Sequence, residues 1–297
     1  MEFSDLGIST ITVMAYSNIL LNVERLFNNM KVYDVENPPL TKKKKLPNIK
    51  KVNAPYGQII SLKNRNNFRG LKTKETREGD SDSKYFLNQI TCILSLGECK
   101  NINVFVFKTS FKIVGCKDTD TAEEVIMILW ENYIKPLTDC YEVMDDQAPN
   151  FTFETVMTNV DFSLGFMIDR KNLNTLLNSS EFKERIHMSR FQPTDDTNVN
   201  VQFHTEKPKG YFYWRLTHDE EDGWVRDKVD NIKYIDTKKK KKKKHTTFLV
   251  FQSSKIILSA RYQQHMPRDY DYFMKIIKNH RKDFEENVDT KNGKFSF

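Results

Sequence analysis

A chain of 297 residues, 38% hydrophobic and 12% aromatic, carries enough apolar side chain for a folded core and is long enough for about two domains or lobes. Its 47 Lys+Arg against 40 Asp+Glu give a net charge of +7, which suits an anionic partner, yet the seven lysines of Lys238–Lys244 account for that excess, so the basic signal is local. The composition argues against a membrane span, since no apolar run approaches the roughly 20 residues one needs. It also argues against a secretion leader, because Glu2 and Asp5 are unlike its basic start, and against a disulfide or zinc framework, because Cys92, Cys99, Cys116 and Cys140 include no CxxC pair. The expected setting is intracellular.

In chain order, Ile8 to Ala15 (ISTITVMA) is β-branched and alternates, which predicts a strand with two different faces. Leu20 to Met30 follows with Leu20, Val23, Leu26 and Phe27 at helical spacing. From about residue 31 to 84 the composition shifts to proline, lysine and asparagine, predicting an insertion around one short strand, Gly57 to Leu62. Ile90 to Leu96 returns to strand and turns into a hairpin, NVFVFKTSFKIVGCK, from Asn103 to Lys117. Asp118 to Thr121 opens a helix, with Thr121 and Glu124 as a capping box, and Pro136 ends it. Asp139 to Pro149 reads as a linker.

The same order then recurs. Phe153 to Phe162 is a second lead strand, Asp169 to Asn178 a second short helix, and Glu181 to Lys209 an irregular insertion. Gly210 to Leu216 and Val229 to Ile235 read as strands answering Gly57 to Leu62 and Ile90 to Leu96, with a lysine-rich insertion at about 236–245. A second hairpin, VFQSSKIILSAR, leads to a helix starting near Pro267 with Tyr270, Phe273, Met274, Ile277 and Phe284 on one side. The duplication predicts an α+β chain of two repeats, 1–143 and 144–297, each an antiparallel sheet covered on one side by helices.

For catalysis the sequence offers no Gly-rich phosphate loop, HExxH or nucleophile elbow, and its histidines have no ligand spacing. No catalytic residue, metal ligand or cofactor is predicted, and Asp219 to Asp222 beside Gly223 reads as a solvated loop. The informative residues are Phe105 and Phe107 in one hairpin and Leu249 and Phe251 in the other, which a period of two places on one face, opposite Val104 and Val106 or Phe248 and Val250. Either these strands are buried on both faces, or the sheet presents large apolar side chains ringed by Lys112, Lys117, Lys255 and Arg261. The second arrangement is what binding in a DNA minor groove requires: wedges for the base steps and cations for the phosphates.

These hairpins, with the strands before and the helix after each, resemble the TATA-box-binding protein family, and most closely its divergent members from large nucleocytoplasmic DNA viruses. VFQSSKIILSAR and VFKTSFKIVGCK stand where that family has IFxSGKxVxTGAK-like motifs. The resemblance implies a saddle of two tandem pseudo-symmetric repeats, its curved antiparallel sheet gripping A·T-rich promoter DNA and its convex helices meeting a B-type general transcription factor and the RNA polymerase machinery. It implies inner wedges at Phe107 and Phe251, strand neighbours at Phe105 and Leu249, groove-lining residues at Ile113, Ile257 and Ser259, and outer wedges near Phe86 and Trp224. On the lead strands it singles out Thr10 and Thr12, and Thr155 and Met157, with Thr10 and Thr155 in place of the family's asparagines. The implied role is viral transcription initiation in a host nucleus, a cytoplasmic viral factory or a virion. The alternative is a duplicated fold that has lost DNA binding and serves as a protein-interaction or virion structural component, which a sheet face filled by the chain's own insertions would favour.

Overall fold

Burial alternates residue by residue along the hairpin strands: Ile102, Val104 and Val106, and Ile256, Leu258 and Ala260, are buried while the residues between them are half-buried or exposed, so each strand has one face in a core and one that is not. The computed structural model describes residues 2–34, 52–72, 88–145, 147–233 and 245–286. In chain order its elements are β1 (Ile8–Ser17), β2 (Ile19–Leu21), α1 (Val23–Asn29), β3 (Ile59–Asn64), β4 (Asn67–Gly70), β5 (Ile90–Ser95), β6 (Asn101–Val106), β7 (Ser110–Cys116) and α2 (Thr119–Leu129). There follow β8 (Tyr141–Val143), β9 (Asn150–Ser163), α3 (Arg170–Leu177), β10 (Ile186–Arg190), β11 (Asn198–His204), β12 (Tyr213–Asp219), β13 (Gly223–Val229), β14 (His245–Phe251), β15 (Lys255–Ala260) and α4 (Met266–Phe284).

The elements form two compact units. The amino-terminal unit comprises residues 10–156 and 210–239, and the carboxy-terminal unit residues 1–9, 157–209 and 240–297. The division therefore falls inside the two lead strands, β1 and β9, rather than in the polar stretch 139–149, which contributes β8.

In the amino-terminal unit the antiparallel order is β1-β7-β6-β5-β3-β4. Val104, Val106, Phe111 and Ile113 are buried on one face, where Phe111, Phe151 and Trp130 form a chain of ring contacts at 5.9 and 6.0 Å. Trp130 follows α2, whose Ala122, Val125, Ile126 and Leu129 are buried. Asp118 caps α2 by accepting a hydrogen bond from the Thr121 N–H at 2.8 Å, so the cap lies three residues before the expected Thr121.

In the carboxy-terminal unit the order is β10-β11-β14-β15-β9, the same succession of lead strand, hairpin and outer strands. Phe248 is the centre of its core, stacked on Phe273 of α4 at 4.3 Å and tilted against Phe203 at 5.1 Å. Full burial of an aromatic or leucine-sized side chain contributes about 1.5–3 kcal/mol, and this core holds Tyr270, Ile277, Phe284, Leu173 and Leu177 as well. Asp169 caps α3 through the Asn172 N–H at 3.0 Å.

Three further expectations change. The stretch 181–209 is no irregular insertion, because it supplies β10 and β11, and β11 pairs with β14 over its whole length, Asn198 opposite Phe251 and His204 opposite His245. The stretch beginning at Gly210 instead forms the β12–β13 hairpin, which belongs to the amino-terminal unit and pairs with the first residues of β9, Trp214 opposite Phe153 and Leu216 opposite Phe151. The strand expected at 229–235 is not formed through Lys233, and the lysine runs 42–45 and 238–244 lie outside the described residues.

Candidate functional site

Residues directly opposite one another in an antiparallel pair share a face, so the register defines what each sheet presents away from its helices. In the amino-terminal unit one row runs Met14, Lys112, Phe105, Thr91, all half-buried, and the next runs Thr12, Val114, Asn103, Ile93. Lys112 Nζ stands 5.7 Å from the Phe105 ring centroid, a cation over an aromatic face. Phe107 sits at the hairpin tip, half-buried, its N–H donating to Ser110 O at 2.8 Å. Lys117 is exposed just beyond β7.

The carboxy-terminal unit has matching rows: Asp161, Ile257, Leu249, Asn200, and Asn159, Ser259, Thr247, Gln202. Phe251 is half-buried opposite Asn198, and Lys255 is exposed opposite Ser163. Arg261 follows β15 with its guanidinium 5.8 Å from the Tyr262 ring. The helix-side residues Phe248, Val250, Ile256 and Leu258 are buried. Thus Phe105, Phe107, Leu249 and Phe251 share the partly open faces, and the two-sided core strand is excluded for these four.

Ile113 does not. It is 0% exposed on the helix side, opposite Val13 and Val104. The physical reason is turn length: residues 107–110 separate Val106 from its partner Phe111, whereas 251–255, one more residue, separate Val250 from Ile256. A one-residue difference turns every side chain after it to the other face, so Lys112 and Val114 hold the places that Ile257 and Ser259 hold in the other unit.

The lead-strand residues differ among themselves. Thr10 is half-buried and its hydroxyl reaches Ile11 O at 3.5 Å, beside a bulge between Ile11 and Thr12, while Thr12 is buried at 3% exposure. Thr155 is half-buried at the end of the amino-terminal unit, and Met157, in the carboxy-terminal unit, is exposed. Trp224 is not at a sheet face with the phenylalanines: it lies on β13, 5.0 Å from the His218 ring and 5.9 Å from Phe151, held in the inserted hairpin. Phe86 lies outside the described residues.

One residue was missed. Asn159 lies in the open-face row of β9, where Ser259 Oγ donates to its Oδ1 at 2.7 Å. That bond fixes Oδ1 as acceptor and leaves the Nδ2 donors without a partner among the described residues. The signal was the strand's own alternation, since Val160 and Phe162 are core and Asn159 and Asp161 must face the other way. Asp161 adds an exposed carboxylate to the same face, opposite Ile257.

The acidic run closes the β12–β13 hairpin. Asp219 Oδ1 accepts the Asp222 and Glu221 N–H groups at 2.9 and 2.8 Å, which holds its carboxyl below the usual aspartate range. Among the described residues no group of three or more His, Cys, Asp or Glu is arranged to hold a metal ion, and no helix is long and apolar enough to cross a membrane. Burial pushes the Cys116 thiol up to about 12, helped by the nearby Asp118 carboxylate.

No protein-family model matches the chain. It is 24% identical over 221 residues to Uncharacterized protein 335L of Invertebrate iridescent virus 6, covering 70% of this chain and 65% of that protein. It is 29% identical over 175 residues to a TATA-box-binding protein-like protein of Acanthamoeba polyphaga mimivirus, covering 51% of this chain and 47% of that protein. The matches thus span about half to two thirds of these relatives' lengths. Among solved structures the chain is similar to Methanococcus jannaschii TBP, with a TM-score of 0.43, 10% identity, and coverage of 92% of this chain and 98% of that one.

Proposed function

We propose that this chain is a divergent TATA-box-binding-protein-like transcription initiation factor of viral type, which binds double-stranded DNA in the minor groove through the open sheet face of each unit. The observation that carries the reading is the repetition of half-buried apolar side chains at equivalent places, Phe105 and Phe107 in one unit and Leu249 and Phe251 in the other, on strands whose opposite faces are fully buried. A soluble sheet keeps large apolar groups out of its core only at a cost, and insertion between base steps would recover it. The cations Lys112, Lys117, Lys255 and Arg261 would hold phosphates, giving affinity without sequence preference. The B-type general transcription factor and polymerase machinery are the partners this role requires, in a nucleus or a cytoplasmic viral factory. The test is titration of A·T-rich and G·C-rich duplexes across a salt series, with a bending assay, for the parent, Phe107→Ala and Phe251→Ala. Loss of bending in both variants is expected. Absence of binding by the parent, or bending unchanged in both variants, rejects the reading.

A second reading, a duplicated fold that serves as a protein-interaction or virion structural component, is favoured by one observation. Ile93 and Ser95 lie on the same face as Phe105 and yet are 0% exposed, so something in the chain already covers the outer strands there.

A further inference from the structure

What covers them is the chain's own segment Val52–Ala54. Ser95 Oγ donates to Ala54 O at 2.9 Å and Asn101 Nδ2 to Val52 O at 2.7 Å, both from the open-face row at the end of β5 and β6. Val52, Ala54 and Leu71 pack with Ile60 and Ile93 in a small cluster separate from the unit's helix-side core. The chain then leaves the open face through Pro55–Gly57. Gly57, at φ +75°, donates its N–H to Ser95 O at 2.8 Å and accepts from the Tyr133 hydroxyl at 2.8 Å. Beside it the Tyr56 hydroxyl donates to Glu124 Oε1 on α2, a bond that pushes the phenol up to about 12. The segment is therefore a strap hung from the helix side and folded over the sheet's edge, turning at a glycine in a backbone conformation that other residues rarely adopt.

The strap fits imperfectly. Beneath and beside it, Ser61 Oγ and Asn103 Oδ1 are buried with no hydrogen-bond partner among the described residues. Ser61 is opposite Ile93 and Asn103 is opposite both Ile93 and Val114, so both stand in the covered rows. A buried polar atom without a partner penalises the closed state, and a second occupant able to donate to these acceptors would be preferred. Among the described residues the segment is held by the Ser95 and Asn101 bonds and by the packing of Val52 and Ala54, both small to medium apolar side chains, on Leu71, Ile60 and Ile93.

We propose that Val52–Ala54 is an intramolecular competitor for the amino-terminal unit's open face, displaced when a ligand occupies the rows of Phe105 and Asn103. The proposal rests on the DNA reading given above, and specifies how that site is regulated: duplex binding requires the strap to swing out about Gly57. Apparent affinity then falls by the fraction of time the strap is open, so a strap open about one time in ten weakens binding about tenfold.

Two variants of the full chain release it without adding charge: Val52→Asn with Leu71→Asn, which spoils the apolar contacts, and Asn101→Ala, which removes one anchor and leaves the strap sequence intact. Hydrogen exchange over residues 52–58 reads the strap, and titration of a fluorescent A·T-rich duplex reads the face. Faster exchange at 52–58 with binding about tenfold tighter is the expected result. Faster exchange with affinity unchanged or weaker overturns the competition, and exchange at the parent rate in both variants overturns the strap's anchoring. If neither parent nor variants bind any duplex, the minor-groove reading itself fails, which is distinct from a parent that binds and a released variant that binds no better.

Discussion

Phe248 and Leu249 are neighbours on β14 with opposite fates, and replacing each by alanine tests the facing of the whole carboxy-terminal sheet. Phe248 is 0% exposed, stacked on Phe273 and tilted against Phe203. Phe248→Ala leaves a cavity that α4 cannot fill without moving, so the loss expected is about 3–5 kcal/mol, with the stacked pair accounting for about 0.5–1.5 kcal/mol of it. Leu249 is half-buried among Ile257 and Asn200. Since full burial of a leucine contributes about 1.5–3 kcal/mol, Leu249→Ala forfeits roughly half of that. Urea unfolding followed by far-UV circular dichroism measures both, while duplex titration should separate them the other way, with Leu249→Ala weakening binding in native conditions. Equal destabilisation by the two variants would mean that β14 is buried on both sides, and the proposed face would not exist.

Asn159→Leu should reduce discrimination between A·T-rich and G·C-rich duplexes by about 1–3 kcal/mol, if its Nδ2 donors meet minor-groove acceptors, and competitive titration reads the difference. Asp118→Ala removes the α2 cap and should cost about 1 kcal/mol in thermal or urea unfolding. The Asp118 carboxyl is held below its ordinary 3.8 first by its bond with the Thr121 side chain and then by the Thr121 N–H. Because the folded value is the lower one, the stability it lends is complete above pH 3.8 and disappears as pH falls through the folded value, so the penalty of the variant should vanish in acid. Alkylation at mildly basic pH should modify half-buried Cys99 well before Cys92 and Cys116, whose thiols burial pushes upward, and peptide mapping checks the order.

Much of this fold was legible because hairpins and caps are local. The apolar alternation of Phe105 and Val106, or Phe248 and Leu249, fixes the faces, and Asp169 declares its helix. The misplacements have identifiable causes. NVNVQFH over Asn198–His204 alternates as strictly as any strand in the chain, but its outward residues are Asn and Gln, which suggest loops. The aromatic-rich GYFYWRL competed for the same place in the repeat and belongs to the other unit. Counting along the motif gives Ile113 the place of Ile257, and counting cannot register a turn shorter by one residue. The strap is invisible in the sequence for another reason: Val52 and Ala54 show no periodicity, and only their bonds with Ser95 and Asn101 reveal that they lie over the sheet's open side.

That shortened turn has a further consequence. The one-residue difference between the two turns puts Lys112 where the second hairpin has Ile257, a charge in place of a methyl-rich surface. On the proposed reading the two units therefore differ in what each would offer a phosphate backbone at this place, an ammonium group in one and a branched apolar side chain in the other.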